Sequence, residues 1–456
     1  HPDATLVELG HSRSGRPIWA LRIAAGSATT RPVLLFNGAH HGDELVSVLQ
    51  TLDVATTLLD PANVELRALA RRVEIWVIPM VNPDGIAHFI ERSTYAGRKN
   101  GRDANNDGFL AADEGVDLNR NYPFRWGALG EVGSSLDPRS AYFRGERPGS
   151  EPETQAMMRL TEATSPVASI SYHTLGTVIL WPYTVDGVED SGAQLTRGVA
   201  ELVARAAGRQ ANRRSFAVRQ KIYPVDGVDQ DWLRATSGAV ALLVEGPGHN
   251  PLGTKRLAAE VEGVRGTWQA LLKRVVEGPT LVGRVVDERG DPARVELVIA
   301  DDAPLAGERW MSRCGDGRFA RLVPDAGTTN VALVAGKSPP QDHRVHAGAL
   351  SDPRAKLVFT KPALPPGALS AVDPAPRRAT QAVAAEVGAC ADPALCSVDA
   401  RCAARIGGCV RIGPGRFCEV DGDCVAAGAH SADGRCTCRP DADPFALVDS
   451  RGHRCG

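Results

Sequence analysis

The chain has 456 residues, 43% of them hydrophobic, and its 52 basic and 54 acidic residues leave a formal charge of −2. That length exceeds one ordinary core and predicts two or more domains. The charge balance lacks the basic excess of a nucleic-acid binder, and no apolar run reaches the ~18 residues a membrane span needs.

The first residues read HPDATLVELG, with neither an initiator Met nor a signal peptide, so the chain is expected to be a processed product. Residues 1–277 then alternate apolar runs with helical patterns. The clearest strands are VLLF (33–36), VEIWVIPMV (73–81), VASISY (167–172) and VALLV (240–244). Helices are expected at SEPETQAMMRLTEAT (150–164), where Ser150 and Glu153 form a capping-box pattern, and at TRGVAELVARAAGR (196–209). Strands that are apolar throughout predict an α/β fold, a mixed, mainly parallel, doubly wound sheet with helices on both faces.

Residues 278–361 change to short alternating strands and turns, which predicts a small β-sandwich. A Pro/Ala-rich linker is expected over 362–388 and a cysteine-rich module over 389–456. Residues 1–389 hold one cysteine, Cys314, whereas the last 67 hold nine: Cys390, Cys396, Cys402, Cys409, Cys418, Cys424, Cys436, Cys438 and Cys455. That density marks a disulfide-rich module and an oxidising compartment, so the protein is expected to be secreted. A zinc module is the competing reading, but no C-x-x-C pair is present. Nine is odd, so one thiol is free or pairs outside the module, and the connectivity stays open.

Three of the buried strands run into ligand-type side chains. VLLFNGAH leads to His41 and Glu44, VASISYH ends at His173, and AVALLVE ends at Glu245. In open α/β sheets, sites form beyond the carboxyl ends of the strands. Two histidines and a carboxylate make a three-ligand zinc site with a fourth position for water, and a further carboxylate can act as base. Any one of these residues alone could simply end a strand; the three together favour a shared site. Between them, GVDLNRNYPF (115–124) carries Asn119 and Arg120, and AGRKNGR carries Arg98. Arg presents a planar fork for a carboxylate, so zinc beside such a clamp fits a substrate with a free terminal carboxylate.

These residues resemble the zinc metallocarboxypeptidases of the carboxypeptidase A-like type over residues 1–277. The resemblance implies His41, Glu44 and His173 as zinc ligands, Glu245 as the base, and Arg98 as the carbonyl-polarising cation. It implies Asn119, Arg120 and Tyr223 as the residues that hold the substrate carboxylate, and Asp117 as the carboxylate that orients a zinc-bound His. Adjacent His40 and His41 leave the ligand choice to family spacing, and Asp43 stands where many members have Arg. The sandwich region resembles the transthyretin-like domain of the carboxypeptidase N/E-like subgroup, as does Gln230-Asp231 after the tyrosine loop, with Gln230 in the substrate pocket. That subgroup implies a lean towards C-terminal Arg or Lys. The position aligned with its pocket acid is Thr184, with Asp186, Asp226 and Asp229 as substitutes.

DANNDGFLAADE (103–114) fits a calcium loop, with Asp103, Asn105, Asp107 and Glu114 as oxygen ligands and the Phe109 carbonyl beside them; the alternative is a polar surface loop. The expectation is therefore a secreted zinc carboxypeptidase acting on peptide or protein C-termini, with Ca²⁺ as a second cofactor. The alternatives are a cell-wall peptide amidase or amide deacylase of the same fold, and an inactive binding protein. The cysteine-rich module would serve an unknown surface or partner.

Overall fold

In the computed structural model the described residues are 1–25, 31–91, 97–105, 107–108, 110–208, 214–248, 250, 254–299, 302–305, 308, 310–313, 315–335 and 339–360, with the backbone of 410–411 and 417–418. Eight strands form one sheet: β1 (Ala4–His11), β2 (Pro17–Ile23), β3 (Val33–Gly38), β4 (Glu74–Ile78), β5 (Ala168–Thr174), β6 (Val178–Leu180), β7 (Ala217–Arg219) and β8 (Val240–Gly246). Their spatial order is β1-β2-β4-β3-β5-β8-β6-β7. The centre, β4-β3-β5-β8, is parallel. Antiparallel pairs flank it, with β1 and β2 on one side and β6 against β8 on the other. The sheet is therefore mixed with a parallel heart, as the uninterrupted apolar runs predict.

Among the described residues seven helices accompany it: α1 (Leu45–Leu59), α2 (Val64–Ala70), α3 (Pro83–Glu91), α4 (Pro152–Thr164), α5 (Ala193–Ala207), α6 (Asp229–Ser237) and α7 (Thr254–Glu277). Side chains alternate across each strand. Leu34 and Phe36 of β3 pack with Val54 of α1, Val199 of α5 and Trp268 of α7. Val33 and Leu35 face the other way, against Met157 of α4 and Trp232 of α6. Both faces are thus dry, and each large side chain so buried contributes roughly 1.5–3 kcal/mol.

One local expectation fails at α4. Its N-cap is Glu151, which makes no side-chain cap bond, with Pro152 in the first turn. Ser150 Oγ instead donates to Glu151 Oε1, 2.7 Å, and Glu153 accepts from Arg13 N, 2.9 Å. Ser150 Oγ also accepts from Asn121 Nδ2, 2.9 Å, so tertiary partners engage both side chains of the expected capping box.

Beyond α7 come β9 (Thr280–Val286), β10 (Glu296–Ile299), β11 (Arg318–Leu322), β12 (Gly327–Val334), β13 (Gln341–Ala347) and β14 (Lys356–Thr360). They form two three-stranded sheets, β10-β12-β13 and β11-β9-β14. Leu281, Phe319 and Phe359 of one meet Leu297, Val331 and Val345 of the other in a single apolar cluster. This small double-sheet unit is fixed to the larger one. Val282, Ala320 and Leu322 enter the cluster of α1, α5 and α7, and Arg234 of α6 pairs with both Asp190 and Asp302. The linker expected over 362–388, Cys314, and the tail cysteines other than Cys418 lie outside the described residues; of the tail, Val410–Arg411 pairs with Phe417–Cys418.

Candidate active site

The chain leaves β3 through a tight turn. Ala39 takes a left-handed φ of 56°, and its amide donates to Ser47 Oγ at 2.9 Å. Asn82 clasps the turn, its amide donating to Ala39 O, 3.0 Å, and its Nδ2 to His40 O, 3.1 Å. Gly42 lies so close to α3 that a Cβ there would stand 2.2 Å from the Gly85 carbonyl carbon, so only glycine fits. The turn aims His41 across the end of the sheet, and Glu44 follows at the N-cap of α1.

His41, Glu44 and His173 converge. His41 Nδ1 lies 2.7 Å from Glu44 Oε1, and His173 Nδ1 lies 3.0 Å from Glu44 Oε2. One ligand atom from each falls within 4.8 Å of the others, all three residues being buried. Burial raises the Glu44 carboxyl, but the two imidazoles outweigh it and hold the group well below the usual carboxylate range. His41 Nε2 lies 3.2 Å from Asp117 Oδ1, the contact that would leave Nδ1 free to ligate. The donor set of two imidazole nitrogens and a carboxylate oxygen, open to a cleft on one side, fits a catalytic zinc ion.

The two neighbouring histidines part company. His40 is fully buried; its Nε2 sits 2.8 Å from Tyr122 Oη and its ring stacks on His173 at 5.6 Å. Burial above all pushes it down to about 4, so it is neutral. Glu245 leaves β8 opposite His173 in the parallel register. Burial first, and then the charge of Glu44, pushes its carboxyl up to about 7, and its Oε2 has no partner.

Asp117 organises the cationic side. Its Oδ2 accepts from Arg98 Nε at 3.0 Å and Nη2 at 2.7 Å, which leaves Arg98 Nη1 3.4 Å from His41 Nδ1. Asn119 N donates to Asp117 Oδ1, 3.0 Å, and Asp229 N donates to Asn119 Oδ1, 2.9 Å. Arg120 is 2% exposed; its Nη1 donates to Asn119 O, 2.6 Å, and its Nη2 to Tyr223 Oη, 3.3 Å. His41, Asn119, Arg120, His173, Tyr223, Gln230 and Glu245 all line one cleft, whose remaining walls are Leu180, Ile222, Val225, Val228, Leu243 and Lys221.

None of the candidate pocket acids lines this cleft. Thr184 is turned to Asp231, donating through Oγ1 at 2.9 Å. Asp226 is held by Ser134 Oγ and by Leu129 N, Asp229 faces His40 at 3.9 Å, and Asp186 pairs with Lys221. The calcium expectation also finds no support. Asp103 Oδ2 accepts from Gly108 N, 2.8 Å, Asn105 Oδ1 from Asp107 N, 2.8 Å, and Glu114 Oε2 from Ala111 N, 2.8 Å. Each of these side chains bonds an amide of its own loop, with Asp103 Oδ1 buried and without a hydrogen bond, and among the described residues the group of His, Cys, Asp and Glu able to share an ion is His41, Glu44 and His173. Phe109 lies outside the described residues.

Two neighbours of the site escape sequence reasoning. Lys99 Nζ donates to the carbonyls of Asp113, Pro138 and Ser140, tying the segment after Arg98 to a distant loop. That loop presents Tyr142 over Arg98 and Arg120. Neither shows a local pattern; a lone tyrosine in a Ser- and Pro-bearing loop carries no spacing signal.

The family model for zinc carboxypeptidase matches residues 1–262. A metallocarboxypeptidase A of Trichophyton tonsurans is 30% identical over 298 residues, which is 60% of this chain and 66% of the relative. A zinc carboxypeptidase of Saccharothrix mutabilis subsp. capreolus is 29% identical over 247 residues, 51% of this chain and 55% of the relative. The chain thus spans less than two thirds of the length of these relatives. The carboxypeptidase A from Helicoverpa armigera superposes with a TM-score of 0.51 at 25% identity, covering 59% of this chain and 67% of that one. Bovine thrombin-activatable fibrinolysis inhibitor shares the fold, with a TM-score of 0.51 at 18% identity over 59% of this chain and 90% of that one.

Proposed function

Because the chain belongs to the zinc carboxypeptidase family, we propose that it is a secreted enzyme that hydrolyses the C-terminal peptide bond of peptides or proteins. The observation that carries this reading is that one cleft joins the His41–Glu44–His173 cluster to Asn119, Arg120 and Tyr223. His41, Glu44 and His173 would hold zinc, with Asp117 orienting His41. When bound, zinc supplies a Lewis acid and an activated water.

Arg120, with Asn119 and Tyr223, receives the terminal carboxylate; Arg120 lines the cleft without an ion pair among the described residues, and a guanidinium suits that planar anion. Arg98, held by two bonds to Asp117, turns its remaining edge to the scissile carbonyl. Donors placed where an oxyanion develops contribute roughly 3–4 kcal/mol each. Glu245 takes the proton from water and delivers it to the departing amine. Its unpartnered oxygen beside the cluster supports that role.

The aliphatic walls Leu180, Val225, Val228 and Leu243, with Gln230 as the buried polar group and Lys221 paired with Asp186, favour an uncharged C-terminal side chain. Burying an unpaired cation among them costs several kcal/mol. Secretion rests on the cysteine-rich composition of residues 389–456. An amidase or deacylase acting on substrates without a free terminus would have no use for Arg120 and Tyr223.

The test compares two peptides of one sequence, one ending in a free carboxylate and one in an amide, with the zinc-loaded chain. Release of the last residue from the free acid, with a loss of at least about a hundredfold on amidation, is expected. Equal rates on both overturn the carboxypeptidase reading.

A further inference from the structure

Tyr142 has no role in the chemistry derived so far, yet its ring lies over two guanidinium groups at once. Arg98 Cζ is 5.2 Å from the ring centroid and Arg120 Cζ is 5.6 Å from it. Arg98 is neutralised by Asp117 at 2.7 Å. Arg120 has no ion-pair partner among the described residues, and its Nε is buried without a hydrogen bond. What covers Arg120 is aromatic: Tyr142, and Tyr223 with its centroid 5.9 Å away.

The placement of the ring is built. Ser135 N donates to Tyr142 O at 2.9 Å and Arg144 N to Ser135 O at 2.9 Å, closing the loop. Lys99, the residue after Arg98, donates to the Pro138 and Ser140 carbonyls at 2.8 and 3.0 Å. Asp117, which holds Arg98, donates its amide to Phe143 O at 2.9 Å. The loop carrying the tyrosine is therefore bonded to the same segments that carry the two arginines. Tyr142 itself is 48% exposed, so burial alone does not account for an aromatic ring there.

Asp117 holds Arg98 through Nε and Nη2, whereas Arg120 lines the cleft with no carboxylate to fix it among the described residues. An aromatic face carries negative potential and attracts a guanidinium lying over it. We propose that Tyr142 is a positioning residue that holds Arg98 and Arg120 together, aimed at the scissile carbonyl and the terminal carboxylate of one substrate. This rests on the carboxypeptidase reading above, and it predicts that loss of the ring harms both ground-state binding and turnover.

The experiment uses the full zinc-loaded chain and N-blocked dipeptides with a free C-terminus, comparing wild type with Tyr142→Phe, Tyr142→Leu and Tyr142→Trp. Tyr142→Phe keeps the face and is expected to hold kcat/KM within about twofold; Tyr142→Leu fills similar space without it and is expected to raise KM and lower kcat, for a combined loss of about tenfold. Zinc content stays at the wild-type level in both. Tyr142→Trp keeps a larger face and is expected to stay within about threefold of wild type, which keeps the test decisive if the Leu variant is unstable. A Leu variant equal to wild type overturns the proposal, as do Phe and Trp variants that match the loss in Leu. If the wild-type chain releases no C-terminal residue, the carboxypeptidase reading fails and takes this inference with it; an active wild type with an indifferent Tyr142 sinks this inference alone.

Discussion

Glu245 stands directly opposite His173 in the parallel register of β8 against β5. The proposed base and a proposed metal ligand therefore leave neighbouring strands side by side, and their spacing is set by the sheet. Burial and the Glu44 charge push Glu245 up to about 7; a zinc ion at the cluster would draw it down again. A group in that range suits a base that must take a proton and give it back near neutrality.

Glu245→Gln is expected to keep zinc and to lose kcat by about a thousandfold, as removal of a general base does. In the wild type the base works only when ionised, so kcat/KM rises with pH through the Glu245 titration, with the acid limb at or below pH about 7. Rate profiles from pH 4 to 9, with metal content measured on the same samples, check both statements. A Gln variant that retains zinc and wild-type turnover contradicts the assignment.

Selectivity follows from the cleft walls. Peptides ending in Leu, Met or Phe are expected to be cleaved at least about tenfold faster than those ending in Lys or Arg, because the carboxylate that lines the cleft, Glu245, is the proposed base, and Asp186 is already paired with Lys221, which leaves a buried cation without a partner. Gln230→Asp places an acid among Leu180, Val228 and Leu243 and is expected to shift the ratio towards Lys and Arg. Competitive digestion of a mixture differing only in the last residue measures this; a wild-type preference for Arg would show that the walls have been misread.

Away from the site, Glu153 makes stability depend on pH. It is fully buried, and burial, followed by the charge of Glu151, pushes it up to about 8 from an ordinary 4.5. Between these values the folded chain keeps a proton that the unfolded chain has lost, so this group's contribution to stability falls as pH rises through that window. Glu153→Gln removes the titrating group and keeps an oxygen for the Arg13 amide, at the cost of the bond that Asn100 Nδ2 donates to Glu153 Oε2 at 3.1 Å. Thermal melts at pH 5 and pH 8 are expected to show a smaller drop in Tm for the variant than for wild type; equal drops would show that Glu153 is ionised in the fold.

Much of this arrangement is legible in the chain because strand ends speak locally. SISYH and ALLVE are apolar strands with a polar terminus and VLLF runs on into NGAHH, and the parallel sheet brings such termini to one edge. Asn119 and Arg120 are likewise readable as adjacent polar residues in an apolar setting. What distinguishes His40 from His41 is not local: Tyr122 and Asp117 decide it from far along the chain. The capping box at Ser150 misled because a short motif specifies donors and acceptors, and here Asn121 Nδ2, 2.9 Å from Ser150 Oγ, takes up the hydroxyl. Tyr142 and Lys99 belong to loop packing, which leaves no period in the sequence.

The most direct test is the zinc stoichiometry of the purified full chain beside the triple variant His41→Ala, Glu44→Ala, His173→Ala, measured by atomic absorption after dialysis against metal-free buffer. One equivalent in the wild type and none in the variant, with the wild-type Tm falling when a chelator strips the ion and recovering on zinc addition, is the predicted result. Zinc retained by the triple variant at the wild-type level would contradict the account.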